Sequence, residues 1–505
     1  MSLVPIENSL TLPDSIDESG LIVGWSLERE HRRQPIGFKF GKVASGDPAT
    51  AVVNPILMER EGHLMTIAPT GAGKGTGCIV PALLRFDGPV IVIDPKGENA
   101  LMTVRRRREM GQEVAVIDPM GVTGLATASL NPLDILDPDS PTFVDDAMAV
   151  VSALASPDVD TDVSDGGYWR ERGGTFVLGV VLHVVSDLPP ASRNLETVRA
   201  LVNQAVGEIG IYSAKAERPG ESGGLAGTVL AALEASRNAE ARAIGRMLRI
   251  GAVSTLGGIL SFSQNLVEVV RSGMISPSLQ STSFDLGAVQ RGDPLSIYLV
   301  LPPHMLESHG RLLRLWVHTL MTLISGRSGR PPKSTLFILD EASQLGAFND
   351  LRRAITLMRG YGLQTWSFWQ DPSQLQNLYP RDWQTMVNNC RAVQCFGANT
   401  MLAAEAMARL VGFGSPEQLL DLDDDEILLQ LSGDMPVIAR LPNYRADPVF
   451  AGLYDVNPFH DPTRPVQKLK PVRRVFERPQ PVIHTDTPAE VLKRLKSQSS
   501  RQGAQ

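Results

Sequence analysis

One stretch limits what this chain can fold into more than any other. Residues 63–98 read HLMTIAPTGAGKGTGCIVPALLRFDGPVIVIDPKGE. Residues 63–67 are short and apolar, as a buried strand requires. Residues 68–76 then gather Gly71, Gly73 and Gly75 beside Pro69 and Thr70, where neither strand nor helix begins. Residues 78–85 suit the first turns of a helix, stopped by Gly88 and Pro89. Residues 89–93 are a second apolar, β-branched run, closed by Asp94-Pro95-Lys96. A Gly-rich loop that opens a helix turns backbone N–H groups and the positive end of the helix dipole toward an anion. Lys74 adds a charge where the β- and γ-phosphates of a nucleotide would lie. The stretch reads as a phosphate-binding loop, with Thr70, Gly71, Ala72, Gly73, Lys74, Gly75 and Thr76 around the phosphates.

The pattern G-x-x-x-x-G-K-[ST] asks for Gly at position 68 and a hydroxyl at 75. This chain has Ala68 and Gly75. The hydroxyl that ligands Mg²⁺ then falls to Thr76, one place late, or comes from elsewhere. A Gly-rich strand–helix turn with an incidental lysine would give the same string. A dinucleotide fingerprint fits worse, because Thr76 stands where Gly or Ala should complete the run from Gly71 and Gly73.

Far downstream, residues 335–342 read TLFILDEA. A hydrophobic strand ends in Asp340 and Glu341, the Walker B pattern. A carboxylate at the end of a buried strand holds Mg²⁺, and an adjacent Glu polarises the attacking water. Alone, such a string is more simply an ordinary strand closed by an acidic turn. Paired with a Gly-Lys loop upstream, it points to hydrolysis of ATP with Mg²⁺.

The 505 residues, 43 % hydrophobic and 20 % charged, are ordinary globular material. Length suggests about three domains, or one large α/β domain with insertions. No run approaches the roughly 18 apolar residues of a membrane helix, and MSLVPIENSL is no signal segment. Cys78, Cys390 and Cys395 have neither metal spacing nor an even-numbered framework, and read as reduced thiols of a cytosolic protein. Net charge is −7, so any contact with DNA must be local, in a loop or channel.

In chain order, residues 1–62 read as a β-containing preface packed on the core, with the charged run 28–33 as a solvated face. Residues 63–139 give the first part of the nucleotide-binding domain, whose strands at 89–93 and 113–117 both end in Asp-Pro. From 140 to 263 strand signals vanish. Helical spacing takes over at 143–155, 167–185, 195–206, 227–248 and 252–262, as in an all-helical insertion. Residues 264–458 return to strands and helices as the second part. Residues 459–505, Pro-rich and basic from Arg464 through Lys496 to Arg501, read as an extended or disordered tail.

Taken together, TGAGKG, IDPKGE, ILDEA and RGYGLQTWSFWQ resemble the signatures of the type IV secretion coupling proteins, the TraG/TraD-type conjugation ATPases related to FtsK and HerA. The resemblance covers roughly residues 40 to 445, and a Gly after the loop lysine is common among TraG-type members. It implies an α/β fold: a RecA-like P-loop core with a mostly parallel sheet and an inserted all-helical domain. It also implies a homo-hexameric, ATP-driven DNA motor that works with relaxase or relaxosome proteins and with the components of a secretion channel. The family's sensor glutamine falls on Gln370. Its arginine finger, which reaches a neighbour's nucleotide, falls on Arg359. The family's place is the cytoplasmic face of the inner membrane. Its members usually begin with a membrane anchor that this chain lacks. A soluble, peripheral protein that meets the membrane only through a partner is therefore expected. The alternative is an ATP-binding adaptor that recruits relaxase or effector proteins without moving DNA.

Overall fold

The computed structural model describes residues 3–6, 12–27, 38–40, 54–155, 166–216, 228–249, 253–459 and 473–476. The charged run 28–33, and the tail apart from Phe459 and 473–476, lie outside these. Fourteen strands occur among the described residues: β1 (Leu3–Ile6), β2 (Leu21–Ser26), β3 (Phe38–Phe40), β4 (Pro55–Met58), β5 (His63–Ile67), β6 (Val90–Ile93), β7 (Glu113–Ile117), β8 (Leu295–Leu299), β9 (Thr335–Leu339), β10 (Leu363–Trp369), β11 (Cys390–Cys395), β12 (Glu426–Leu431), β13 (Val437–Arg440) and β14 (Arg473–Phe476).

Twelve of them form one sheet in the order β3-β4-β2-β13-β12-β11-β5-β10-β9-β6-β8-β7. From β11 to β7 every pairing is parallel. From β12 outward to β3 every pairing is antiparallel. The parallel half explains the unbroken apolar strings in the sequence. Every residue of β5, β6, β8, β9 and β10 is buried, as expected for strands covered on both faces. The preface strands β2, β3 and β4 extend this same sheet. In the second compact unit, β1 and β14 pair as a two-stranded antiparallel ribbon. The four residues Arg473–Phe476 are thus paired strand, where composition suggests only extended tail.

Between β7 and β8 the chain is helical: Phe143–Ala155, Gly166–Asp187, Leu195–Ala216, Thr228–Ala235, Ala239–Arg249 and Val253–Val267. The single helix expected over 227–248 is two. The Asp187 carboxylate accepts from Ser236 Oγ and from the Arg237 backbone N–H, and the Asn238 side chain caps the second helix through the N–H groups of Glu240 and Ala241. A long helix, Pro303–Ser325, follows β8. Among the described residues no helix is long and apolar enough to cross a membrane.

The sheet carries a buried polar chain beneath the Gly-rich loop. Trp366 Nε1 donates to Thr66 Oγ1 (2.8 Å), and Thr66 Oγ1 donates to Gln394 Oε1 (2.7 Å). Gln394 Nε2 then donates to the Val23 carbonyl (2.8 Å). Strands β10, β5, β11 and β2 are tied through side chains as well as through the ladder. Gln394→Leu keeps the volume but strands Thr66 and Val23 without their partner. It is expected to cost about 1–3 kcal/mol, seen as a lower denaturant midpoint at constant slope. An unchanged midpoint would mean that the chain of hydrogen bonds contributes nothing to stability.

Candidate functional site

The loop after β5 is fixed at its start by the Ala68 N–H, which donates to the Trp369 carbonyl of β10 (2.9 Å). It then needs two left-handed residues, Gly71 at φ 83° and Gly73 at φ 97°, which any side chain would strain. A Cβ added at Gly71 or Gly75 would meet nothing within 4 Å among the described residues, so none of them covers that face of the loop. At Gly77 a Cβ would meet Leu441 at 2.4 Å; the segment after β13 supports the loop from behind.

The helix begins earlier than its sequence suggests. Gly75–Ile79 wind as a π turn, with the Val80 N–H donating to the Gly75 carbonyl, and Val80–Arg85 continue as α-helix. Pro81 has no N–H to return to Gly77, so the ordinary ladder cannot run through the junction. Such turns recur where proteins bind ligands. Lys74 Nζ donates to the Ala68 carbonyl (2.9 Å), folded back over its own loop. Position 68 therefore contributes its backbone oxygen, which Ala supplies as well as Gly. Thr76 sits inside the π turn, half-buried, its carbonyl accepting from the Tyr444 N–H (3.3 Å).

Facing the loop is an acidic edge. Strands β6 and β9 are neighbours with Ile93 opposite Leu339, so Asp94 and Asp340, one residue further along each, stand side by side. Burial pushes the Asp94 carboxyl up to about 7, helped by the charge of Asp340 and opposed by the Ala100 N–H, which donates to it at 2.8 Å. Desolvation raises Asp340 to about 6, against the pull of Lys74. Asn99 Nδ2 stands between them, 3.2 Å from Asp94 Oδ1 and 3.5 Å from Asp340 Oδ2. Both groups resist ionising without a cation. Mg²⁺ is bound through one or two carboxylates, completing its shell with phosphate oxygens and water. Asp340 beside an outward-facing Gly-rich loop fits that requirement.

Glu341 has φ 72° and ψ 60°, the one non-glycine in the left-handed region among the described residues. That conformation costs about 1–2 kcal/mol for an L residue, and such strain gathers at functional sites. Two hydrogen bonds hold its carboxylate: Ser343 Oγ donates to Oε1 (2.7 Å) and Gln370 Nε2 to Oε2 (2.9 Å). Gln370 reaches it because β10 lies between β5 and β9. Its backbone N–H is held by Gln374 Oε1 (2.9 Å).

The structure thus brings Lys74, Asp340, Glu341 and Gln370 to one edge of the sheet. It does not bring Arg359 there. Arg359 sits in the short helix Met358–Tyr361 that precedes β10, at the opposite edge. Seven strand residues at about 3.3 Å each put it roughly 23 Å from Gln370. Its neighbours there are His63, whose imidazole is driven down to about 4 by burial and then by the Arg359 charge, and Arg391. Arg327 pins this corner. Its guanidinium donates to the carbonyls of Tyr361 (2.9 Å) and Val289 (2.8 Å) and to Thr335 Oγ1 (2.7 Å). Sequence reasoning leaves Asp94 as a strand terminator and gives Asn99 and Ser343 no role. The available signal for Asn99 was its place in the first turn of the helix that opens at Glu98.

Comparison with known proteins bears on the family and the fold. The family model described as "Type IV secretory system Conjugative DNA transfer" matches residues 15–414. The conjugal transfer protein TraG of Escherichia coli is 23 % identical over 368 residues, 69 % of this chain and 55 % of that protein. The type IV secretion system-coupling protein VirD4 of Bartonella quintana is 25 % identical over 320 residues, 62 % of this chain and 47 % of that protein. The chain spans about half the length of these curated relatives. The plasmid coupling protein TrwB, solved with ADP and Mg²⁺, superposes with a TM-score of 0.55 at 13 % identity, covering 77 % of this chain and 88 % of that one. The fold is the RecA-like P-loop α/β fold. The chain belongs to the type IV secretory system conjugative DNA transfer family, that of the coupling proteins.

Proposed function

We propose that this chain is an ATP-driven motor that delivers DNA, alone or with attached protein, to a type IV secretion channel, and that it works as a ring of six. One observation carries the reading. Lys74, Asp340, Glu341 and Gln370 meet at one sheet edge, while Arg359 stands at the other. A single copy holds everything such a site needs except the arginine, and a neighbour in a ring supplies it.

In this reading the amides of Thr70–Thr76 and Lys74 hold the phosphates. Asp340 and the Thr76 hydroxyl hold Mg²⁺, which neutralises phosphate charge when bound. Glu341 orients the attacking water and takes its proton. Gln370, bonded to Glu341 (2.9 Å), registers whether the γ-phosphate is present. Arg359 neutralises charge at the neighbour's site, an effect of about 10³–10⁵ in rate in well-studied cases. Family membership supports DNA, a relaxase complex and the channel as partners, at the cytoplasmic face of the inner membrane through another subunit. That TrwB was solved with ADP and Mg²⁺ and with a non-hydrolysable ATP analogue supports nucleotide and Mg²⁺ here.

Three outcomes test this. Lys74→Ala is expected to lower ATP turnover by at least a hundredfold, with the thermal midpoint kept; turnover within about threefold of wild type would remove the phosphate-loop assignment. Glu341→Gln should bind ATP as tightly as wild type in equilibrium titration while turnover falls. A variant that no longer binds would make Glu341 a structural group. Arg359→Ala and Lys74→Ala should each be inactive alone and partly active when mixed, because some interfaces then join an intact Lys74 site to an intact Arg359. Absence of recovery in rings shown to have exchanged subunits would end the trans role.

A further inference from the structure

A second site lies apart from the Gly-rich loop. A cleft of about 1210 Å³ opens between the helix Pro303–Ser325, the end of the helical insertion around Glu268–Val270, and the loop that follows Glu341. Arg271, Arg311 and Arg314 line it, with Glu268 as carboxylate on the same wall and Leu306 among its apolar residues. Glu268 is shared between Arg199 (3.6 Å) and Arg271 (3.5 Å). Arg311 Nη1 donates to Asn265 Oδ1 (3.0 Å), which aims its guanidinium along the wall. On a chain of net charge −7, three arginines around one cleft are a local reversal of sign.

The far end of the cleft is the loop that carries the candidate catalytic carboxylate. Ser343 and Gln344 line the cleft, and Ser343 Oγ is the donor to Glu341 Oε1 (2.7 Å). Arg314, 4 % exposed, donates from Nη1 to the Leu345 carbonyl (3.3 Å) in the same loop. Whatever draws on Arg314 or on Ser343 therefore pulls on the loop that follows Glu341, whose own backbone is strained.

Resting on the motor reading above, we infer that this cleft holds the phosphodiester backbone of a single DNA strand, and that the loop 342–346 transmits its presence to Glu341. Guanidinium forks match phosphate oxygens. A positively charged groove that tracks the backbone suits a single strand, and His309 on the lining offers a ring face on which an unpaired base can stack. The coupling has a definite form: a strand that recruits Arg314 or moves Ser343 changes how Glu341 is held, and with it the rate of hydrolysis.

The test uses the full chain and labelled single-stranded and duplex oligonucleotides of one sequence, titrated by fluorescence anisotropy over a range of KCl. Arg271→Glu and Arg311→Glu are each expected to weaken single-strand binding about tenfold at low salt and to flatten the slope of log Kd against log salt by roughly 0.7 per lost phosphate contact. Arg311→Gln should lose less affinity, with a similar drop in slope. Arg246→Glu, the same charge change outside the cleft, should move affinity by less than about threefold. Ser343→Ala should bind the oligonucleotide as wild type does, yet its ATP turnover, scored against its own rate without DNA, should no longer rise when the strand is added. If wild type binds the strand and the two charge reversals bind it equally well with the same salt slope, the cleft is not the site, and the motor reading survives. If wild type binds neither strand nor duplex and DNA leaves its turnover unchanged, the motor reading itself fails. Binding of duplex only, or of poly-glutamate in place of the oligonucleotide, would overturn the single-strand assignment.

Discussion

The structure depends on two carboxylic acids that the sheet forces together. Because β6 and β9 pair in register, Asp94 and Asp340 stand side by side at the carboxyl edge, one fully buried and the other partly so; burial holds both carboxyls up, with the charge of Asp340 adding to the rise at Asp94 and that of Glu341 to the rise at Asp340. Burying one charged carboxylate is costly, and burying two in contact is more so. The fold offsets this locally. Asn99 places an amide between them, the Ala100 N–H serves Asp94, and Lys74 brings positive charge across from the loop. What remains unbalanced at Asp340 is negative, next to a loop that turns Gly71 and Gly75 outward. The charge pattern of this edge, Lys74 on one side and the two carboxyls on the other, follows from which strands neighbour one another.

That arrangement was legible in the sequence where the chemistry is written in consecutive residues. The Gly-rich loop with Lys74, and the strand ending in Asp340-Glu341, stand where their strings place them, because a buried parallel strand must be apolar throughout and must end where a polar group first appears. Positions whose meaning depends on the strand next door were not legible. Asn99 matters only because β9 lies beside β6. Arg105 to Arg108 are four consecutive arginines, yet Arg107 is fully buried and donates to the Gly88 carbonyl (2.6 Å) and Ser296 Oγ (2.9 Å). A charge among like charges gives no periodic sign of being inside. The helix expected over 227–248 was read as one because its apolar spacing continues in phase across the break. The break itself depends on Asp187, far away in the chain.

Arg359 illustrates the same limit from the other direction. Its string placed it near Gln370, and along the chain it is near. The strand between them runs from one end of the sheet's strands to the other, so closeness in sequence becomes a separation of roughly 23 Å. An arginine with that position either serves the surface or serves another molecule. At that edge Arg359 neighbours Arg391 and His63, whose imidazole is driven down to about 4 first by burial and then by the Arg359 charge.

Strand β10 therefore has a mechanical meaning. It is hydrogen-bonded along both sides, to β5 and to β9, clamped at its start by Arg327 and ended by the glutamine that touches Glu341. A rod held this way does not stretch. A displacement of the Gln370 end is passed along the strand toward the turn that carries Arg359. In the ring proposed above, the timing of one pocket relative to the next would be set by a fixed length of extended backbone, in the manner of a pushrod, with no flexible relay to carry it.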